Sequence, residues 1–275
     1  MDAVDLMHAV DAVDAVDAVD AVDLMDASTF FVVVPFFQEA RGIRATLDAL
    51  AAQTDRDFSL VLVDNGSTDG GGAVVAAFGA AHPDLPLHLI DEPQKGTGAA
   101  ADTGFRFAAA RGARWIARTD ADCLPREDWI ANLKRAFGSG LEFVAGKIKP
   151  RADDLPLTRT DRFVLPALVW LAEHYGKLHR RGRHFRYPYI LAAGNNLAIT
   201  AGLYLRAGGF PRTSIEDEHE DRVLSETVRT LTPNGAVRDD VVVLNSVRRV
   251  RAYGYLNTLR WYRNHGYRSA VVDVR

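Results

Sequence analysis

Four short, strongly apolar runs, each rich in β-branched or aromatic residues and each followed by a polar turn, constrain this chain most. They are Phe30–Pro35, Phe58–Val63, Leu87–Ile90 and the run opening at Trp115. Segments with helical spacing separate them: Glu39–Gln53, with Ile43, Leu47, Leu50 and Ala51 on one stripe; about Ala73–Ala80; and the stretch from Lys95-Gly96-Thr97-Gly98 through Ala110. Strand, helix and strand in succession make β-α-β units, whose right-handed crossovers force the strands parallel. Pro35 is expected to end the first strand. In an open parallel sheet the loops at the carboxyl ends of the strands form the ligand crevice, so the polar turns should collect along one edge.

The fourth run is the most informative. Trp115-Ile116-Ala117-Arg118-Thr119-Asp120-Ala121-Asp122 begins as a buried strand and ends in two carboxylates one residue apart. In an extended segment, alternation points Asp120 and Asp122 to the same side, where both can face one hard cation and the anionic oxygens it carries. The competing reading makes one acid the cap of a helix starting near Pro125-Arg126-Glu127 and the other a solvated loop acid. Asp64-Asn65-Gly66-Ser67-Thr68-Asp69-Gly70, after the second strand, leads into a helix whose N-terminus favours phosphate. Turn chemistry alone also accounts for its Asn, Gly and Ser.

Composition narrows the classes. With 275 residues and 48% hydrophobic content, the chain can bury one large core or two smaller ones. No stretch approaches the roughly 20 apolar residues that cross a bilayer, and the N-terminus lacks a basic region followed by an apolar one. The expectation is a cytoplasmic protein, with peripheral contact to the inner membrane face left open. A lone Cys123 excludes an internal disulfide and a cysteine metal cluster. The net charge is −3, but the first 26 residues hold eight Asp and no Lys or Arg, leaving +5 for the rest. That mild basicity suits an anionic ligand or a membrane surface and falls short of nucleic-acid binding. Residues 2–26 mostly repeat Ala-Val-Asp, a period of three that gives neither a helical nor a strand face, so residues 1–27 read as a low-complexity, disordered arm.

The second half carries a strand at Leu141–Ile148, a long apolar helix at Phe163–Leu178, and the basic cluster His179–Arg186. That cluster is either a solvated surface or a loop meeting an anionic acceptor or lipid phosphate. Ala193-Gly194-Asn195-Asn196, Gly208-Gly209-Phe210 and Ile215–Asp221 follow, then a strand at Asp240–Leu244, a basic run at Ser246–Arg251 and an aromatic, amphipathic segment at Tyr255–His265. Residues 216–221 are equally well made for an acidic helix start.

Val33-Val34-Pro35-Phe36-Phe37-Gln38-Glu39, Val63-Asp64-Asn65-Gly66-Ser67-Thr68-Asp69, Gly96–Gly104 and Asp120-Ala121-Asp122, in that order, resemble the nucleotide-sugar half of the family 2 glycosyltransferases. The resemblance extends over most of residues 30–225, with the Gly-Asn pair, the Gly-Gly-Phe turn and Glu216-Asp217 matching the acceptor half. It implies a GT-A fold: an α/β, Rossmann-like, mostly parallel sheet flanked by helices, in a single domain over 28–275, with a nucleotide-sugar half at 28–125 and an acceptor half at 126–275. By the same likeness Pro35, Phe37, Glu39, Asp64, Asn65, Ser67, Lys95, Asp120 and Asp122 would line the nucleotide-sugar site. Asp122, supported by Asp120, would hold Mn2+ or Mg2+ as in a DxD motif, with His219 as a third ligand unless it is an exposed helical histidine. Asp217 would be the general base, with Glu216 beside it. Two departures stand out: Gln38 where Asn is usual, and Ala101-Asp102 where Arg-Asn is common.

The activity implied is inverting transfer of a sugar from a nucleoside-diphosphate sugar to an acceptor hydroxyl on a glycan, a lipid-linked carrier or a small molecule. Three other readings compete. Gly96-Thr97-Gly98-Ala99-Ala100-Ala101 matches the G-x-G-x-x-A dinucleotide fingerprint, with Asp120 about 20 residues on, which would make an NAD-type dehydrogenase. Paired acids on an α/β sheet also suit a nucleotidyltransferase. A non-catalytic nucleotide-sugar binder is the third.

Overall fold

The computed structural model describes residues 28–153, 155–179, 182, 184–212 and 219–258. The Ala-Val-Asp arm, Glu216, Asp217 and the distal part of Tyr255–His265 lie outside the described residues.

The first half alternates as its sequence requires: β1 (Phe30–Phe36), α1 (Ile43–Ala51), β2 (Ser59–Asp64), α2 (Gly71–Ala81), β3 (Leu87–Asp91), α3 (Thr97–Ala110) and β4 (Trp115–Arg118). Next come β5 (Cys123–Pro125), α4 (Trp129–Gly138), β6 (Phe143–Pro150) and α5 (Arg159–His179). A 3-10 turn at Gly194–Asn196 precedes β7 (Leu197–Thr200), α6 (Ala201–Arg206), α7 (Glu220–Leu231), β8 (Gly235–Asn245) and α8 (Arg248–Tyr253). All eight strands join one sheet in the order β3-β2-β1-β4-β7-β6-β8-β5. The pairs β1–β2, β2–β3, β1–β4 and β6–β8 are parallel, and β4–β7, β6–β7 and β5–β8 are antiparallel.

Period-two alternation in β1 divides the core. Phe30, Val32, Val34 and Phe36 pack with Ile43, Leu47, Val75 and Trp129 on one face of the sheet. Phe31 and Val33 pack with Ala101, Phe105 and Tyr204 on the other. Both faces are covered, which is why these strands are apolar throughout instead of alternating with polar residues. α3 lies especially close: a Cβ on Gly104 would fall 2.4 Å from Val33 Cγ1.

Two expectations change. Pro35 does not end the first strand, because β1 runs on to Phe36, whose carbonyl accepts from Asn65 N at 2.9 Å. Nor do Asp120 and Asp122 close an extended strand. β4 stops at Arg118, and Asp120–Asp122 form a turn in which Cys123 N donates to Asp120 O at 3.1 Å. The turn must bridge far-apart places in the sheet, since β5 stands four positions from β4. In a flat sheet that separation is roughly 19 Å, and the five links from residue 118 to 123 reach at most about 18 Å fully extended. A turn shortens that reach further, so the sheet curls until its far edge approaches its centre. The register shift between Gly146 and Lys147 marks the irregularity in β6 where its pairing with β8 resumes at Val242. The acid turn is the strap across this curl.

Candidate active site

The loops after β1, β2, β3 and β4 meet at the carboxyl edge of the parallel strands and are tied to one another by side chains. Asp64 Oδ1 accepts from Ser67 N at 2.7 Å, and Ser67 Oγ accepts from Gln38 N at 3.0 Å. Gln38 has φ 54°, in the left-handed region that Asn adopts more readily than Gln, and its amide pairs with Thr68. Asn65 is a scaffold residue: its Nδ2 donates to the carbonyls of Glu92 and Gln94 and its Oδ1 accepts from Gly96 N. Pro35 is buried within β1, in register with Val63. Phe37 is half-buried beneath the Lys95 ammonium, 4.9 Å from the ring centroid, and Lys95 is exposed at the rim.

The centre of the site is an alternation of acids and arginines. Arg118, at the end of β4, is fully buried and donates to Asp120 Oδ1 (3.2 and 3.3 Å) and to Glu220 Oε1 (3.1 Å). Gly194 makes room for it, since a Cβ there would lie 2.8 Å from the guanidinium carbon. Arg248, at the start of α8, donates to Glu39 Oε1 at 2.9 Å and to Asp122 Oδ2 at 3.1 Å. Burial raises the Asp120 carboxyl above its ordinary range, Arg118 pulls it back, and the neighbouring Asp122 and Glu220 charges add to the rise. Burial likewise raises Asp221, against hydrogen bonds from Gly194 N at 2.9 Å and Arg222 N at 2.7 Å.

Each acid of the turn has one oxygen held by an arginine. Asp120 Oδ2 has no hydrogen-bond partner among the described residues, and Asp122 Oδ1 has only the weak Cys123 thiol donor at 3.5 Å. An unshared carboxylate oxygen on each acid is the ligand type that a hard cation takes. Among the described residues no three of His, Cys, Asp and Glu come together to make a complete site. His219 is therefore not brought into a cluster with Asp120 and Asp122, and it is a buried residue at the head of α7 instead of an exposed helical one. Cys123 is packed, its thiol raised by burial.

Sequence reasoning passed over Arg118 and gave Arg248 no place in the site. The signal for Arg118 was an arginine closing an apolar strand two residues before a carboxylate. Asp102 is structural, bound by Tyr204 Oη at 2.7 Å and Arg106 Nε at 2.8 Å. The dinucleotide fingerprint is explained by packing: it opens α3 after the third strand, and a Cβ on Gly98 would lie 2.3 Å from Pro211 O and 3.2 Å from Glu220 Cβ. Its glycine admits the second half of the chain and leaves no cradle for a pyrophosphate.

The fold is shared with solved glycosyltransferases. The solved mannosyltransferase PcManGT from Pyrobaculum calidifontis, in complex with GDP-Man and Mn2+, superimposes with TM-score 0.63 at 24% identity, covering 95% of this chain and 73% of that one. TarS from S. aureus in complex with UDP-GlcNAc gives 0.58 at 14% identity over 79% of this chain and 58% of that one. These likenesses place the fold among the GT-A glycosyltransferases. The glycosyltransferase AglE of Haloferax volcanii is 32% identical over 121 residues, 43% of this chain and 38% of that protein. Each of the curated relatives is matched over less than two-fifths of its own length. A family model described as glycosyl transferase family 2 matches residues 31–195, well over half of the chain. The chain belongs to the family 2 glycosyltransferases.

Proposed function

We propose that this protein transfers a sugar, with inversion, from a nucleoside-diphosphate sugar to an acceptor hydroxyl. The observation that carries the reading is the placing of four strand-end loops along one edge of the parallel strands, where Asp120 and Asp122 each keep one carboxylate oxygen available beside buried or half-buried arginines. PcManGT with GDP-Man and Mn2+ and TarS with UDP-GlcNAc support a donor of this class. Asp64, Phe37 and Lys95 would receive the nucleotide, with Asn65 and Ser67 holding the loops in shape. Asp122, with Asp120, would hold Mn2+ or Mg2+, which when bound neutralises charge developing on the leaving diphosphate. Arg248 stands beside Asp122 and would add a positive charge facing the same diphosphate. Asp217, next to Glu216, would take the proton from the attacking hydroxyl, crowded by acids that favour holding it.

The test is Asp217→Asn. It should leave donor binding intact, read by titration with a nucleoside diphosphate and Mn2+, while turnover falls about 10²- to 10⁴-fold. Unchanged turnover would remove Asp217 from the reaction.

A further inference from the structure

α5 turns an apolar face to the outside. Phe163, Trp170, Leu171 and Leu178 are 78%, 59%, 53% and 61% exposed. At 100° per residue their spacing of 7, 1 and 7 places all four within an arc of about 100°, in a stripe roughly 22 Å long. The opposite face is anchored at its two ends, with Val169 between them 47% exposed. Buried Asp161 accepts from Arg251 Nη2 at 2.5 Å and from Tyr255 Oη, and Gly176 packs so tightly on Tyr189 that a Cβ would lie 2.0 Å from its ring. The helix therefore cannot roll to hide the stripe without breaking these contacts. Those bonds also bring α8 and the residues after it beside the start of α5, where Leu256 is 71% exposed. No helix among the described residues is long and apolar enough to cross a membrane.

We infer that this face is a docking surface for an anionic lipid bilayer. Charge decides among possible occupants. Residues 159–186 contain seven Lys or Arg against two Asp or Glu. Asp161 is spent on the anchored side and Glu173 on Lys177 at 2.7 Å. Arg159 is exposed at the start of the stripe; Lys177, on the same azimuth at its end, is exposed but paired with Glu173, and Arg180, Arg181, Arg183 and Arg186 follow it in the sequence. Tryptophan and aliphatic side chains bordered by cations match the boundary between acyl chains and anionic headgroups. A second copy of the chain fits poorly, because two such stripes laid together set basic end against basic end.

Flotation of the full-length protein with phosphatidylcholine vesicles, with and without phosphatidylglycerol, tests this. The wild type should float with the anionic vesicles and be released by salt. Trp170→Glu combined with Leu171→Glu should lower that partitioning about tenfold or more while leaving melting temperature and Mn2+-dependent nucleoside-diphosphate binding unchanged. Absence of wild-type flotation, or equal flotation of wild type and variant, overturns the inference. So does a wild-type dimer that the variant dissolves and that ignores vesicles. None of these readouts requires sugar transfer, so the inference stands or falls apart from the proposed reaction.

Discussion

At the scale of single residues, the site is defined by which cation each acid keeps. Asp122 shares Arg248 with Glu39, so a divalent ion approaching the donor-free protein competes with a guanidinium already in place. Arg248→Gln removes that competitor. Mn2+ binding to the donor-free variant should tighten several-fold, on the order of 1 kcal/mol for a half-exposed ion pair, by calorimetric titration, while the KM for donor rises. The paired acids were legible in the sequence because two carboxylates following an apolar run are rare enough to notice. Their arginine partners were not: Arg248 lies 126 positions from Asp122, and nothing in a local pattern announces that pairing. Gln38 shows the reverse case, a departure visible in the sequence whose meaning, a left-handed backbone, emerges only with its φ of 54°.

At the scale of elements, the β-α-β rhythm predicted every helix and strand of the first half to within a few residues, because apolar periodicity and turn residues are local. It failed where tertiary demands override local form, at Pro35 inside β1 and at the acid turn that interrupts what reads as one strand. The loop after β3 is held by a similar long-range brace. Buried Glu92 accepts from Thr103 Oγ1 on α3, from Arg212 Nη2 at 2.8 Å and from Gln94 N at 2.7 Å. Burial alone would raise this carboxyl, but those donors together hold it below the usual 4.5. Its contribution to stability is thus complete above the unfolded value and lost as pH falls through the lower folded value. Glu92→Gln should cost about 1–3 kcal/mol at pH 7, and chemical denaturation should find the gap between wild type and variant closing below roughly pH 4.

At the scale of the whole molecule, one curled sheet holds both halves of the chain, with β4 at the join between the parallel strands and the antiparallel β7. α3 and Glu220 meet across the same join at Gly98, so the start of α3 packs directly on the head of α7. A nucleoside diphosphate with Mn2+ bound there should stabilise the entire fold. At a hundred times its dissociation constant the gain is about 2.7 kcal/mol, or a rise of roughly 5–10 °C in melting temperature by scanning calorimetry. An unchanged melting temperature in the presence of uridine and guanosine diphosphates would count against the donor class. The joining of the halves was readable only in outline from sequence, since the order of β6, β7 and β8 follows from packing of distant segments and from no periodicity.

The segment from Arg118 to Cys123 is a short tether between β4 and β5. The four residues 119–122 have no slack, because within a single turn they join the middle of one sheet to its rim. Deleting one would pull the rim strand from its neighbour, and adding one would slacken the carboxylates out of alignment. The spacing of the two acids is therefore dictated by closure of the architecture as much as by whatever they hold.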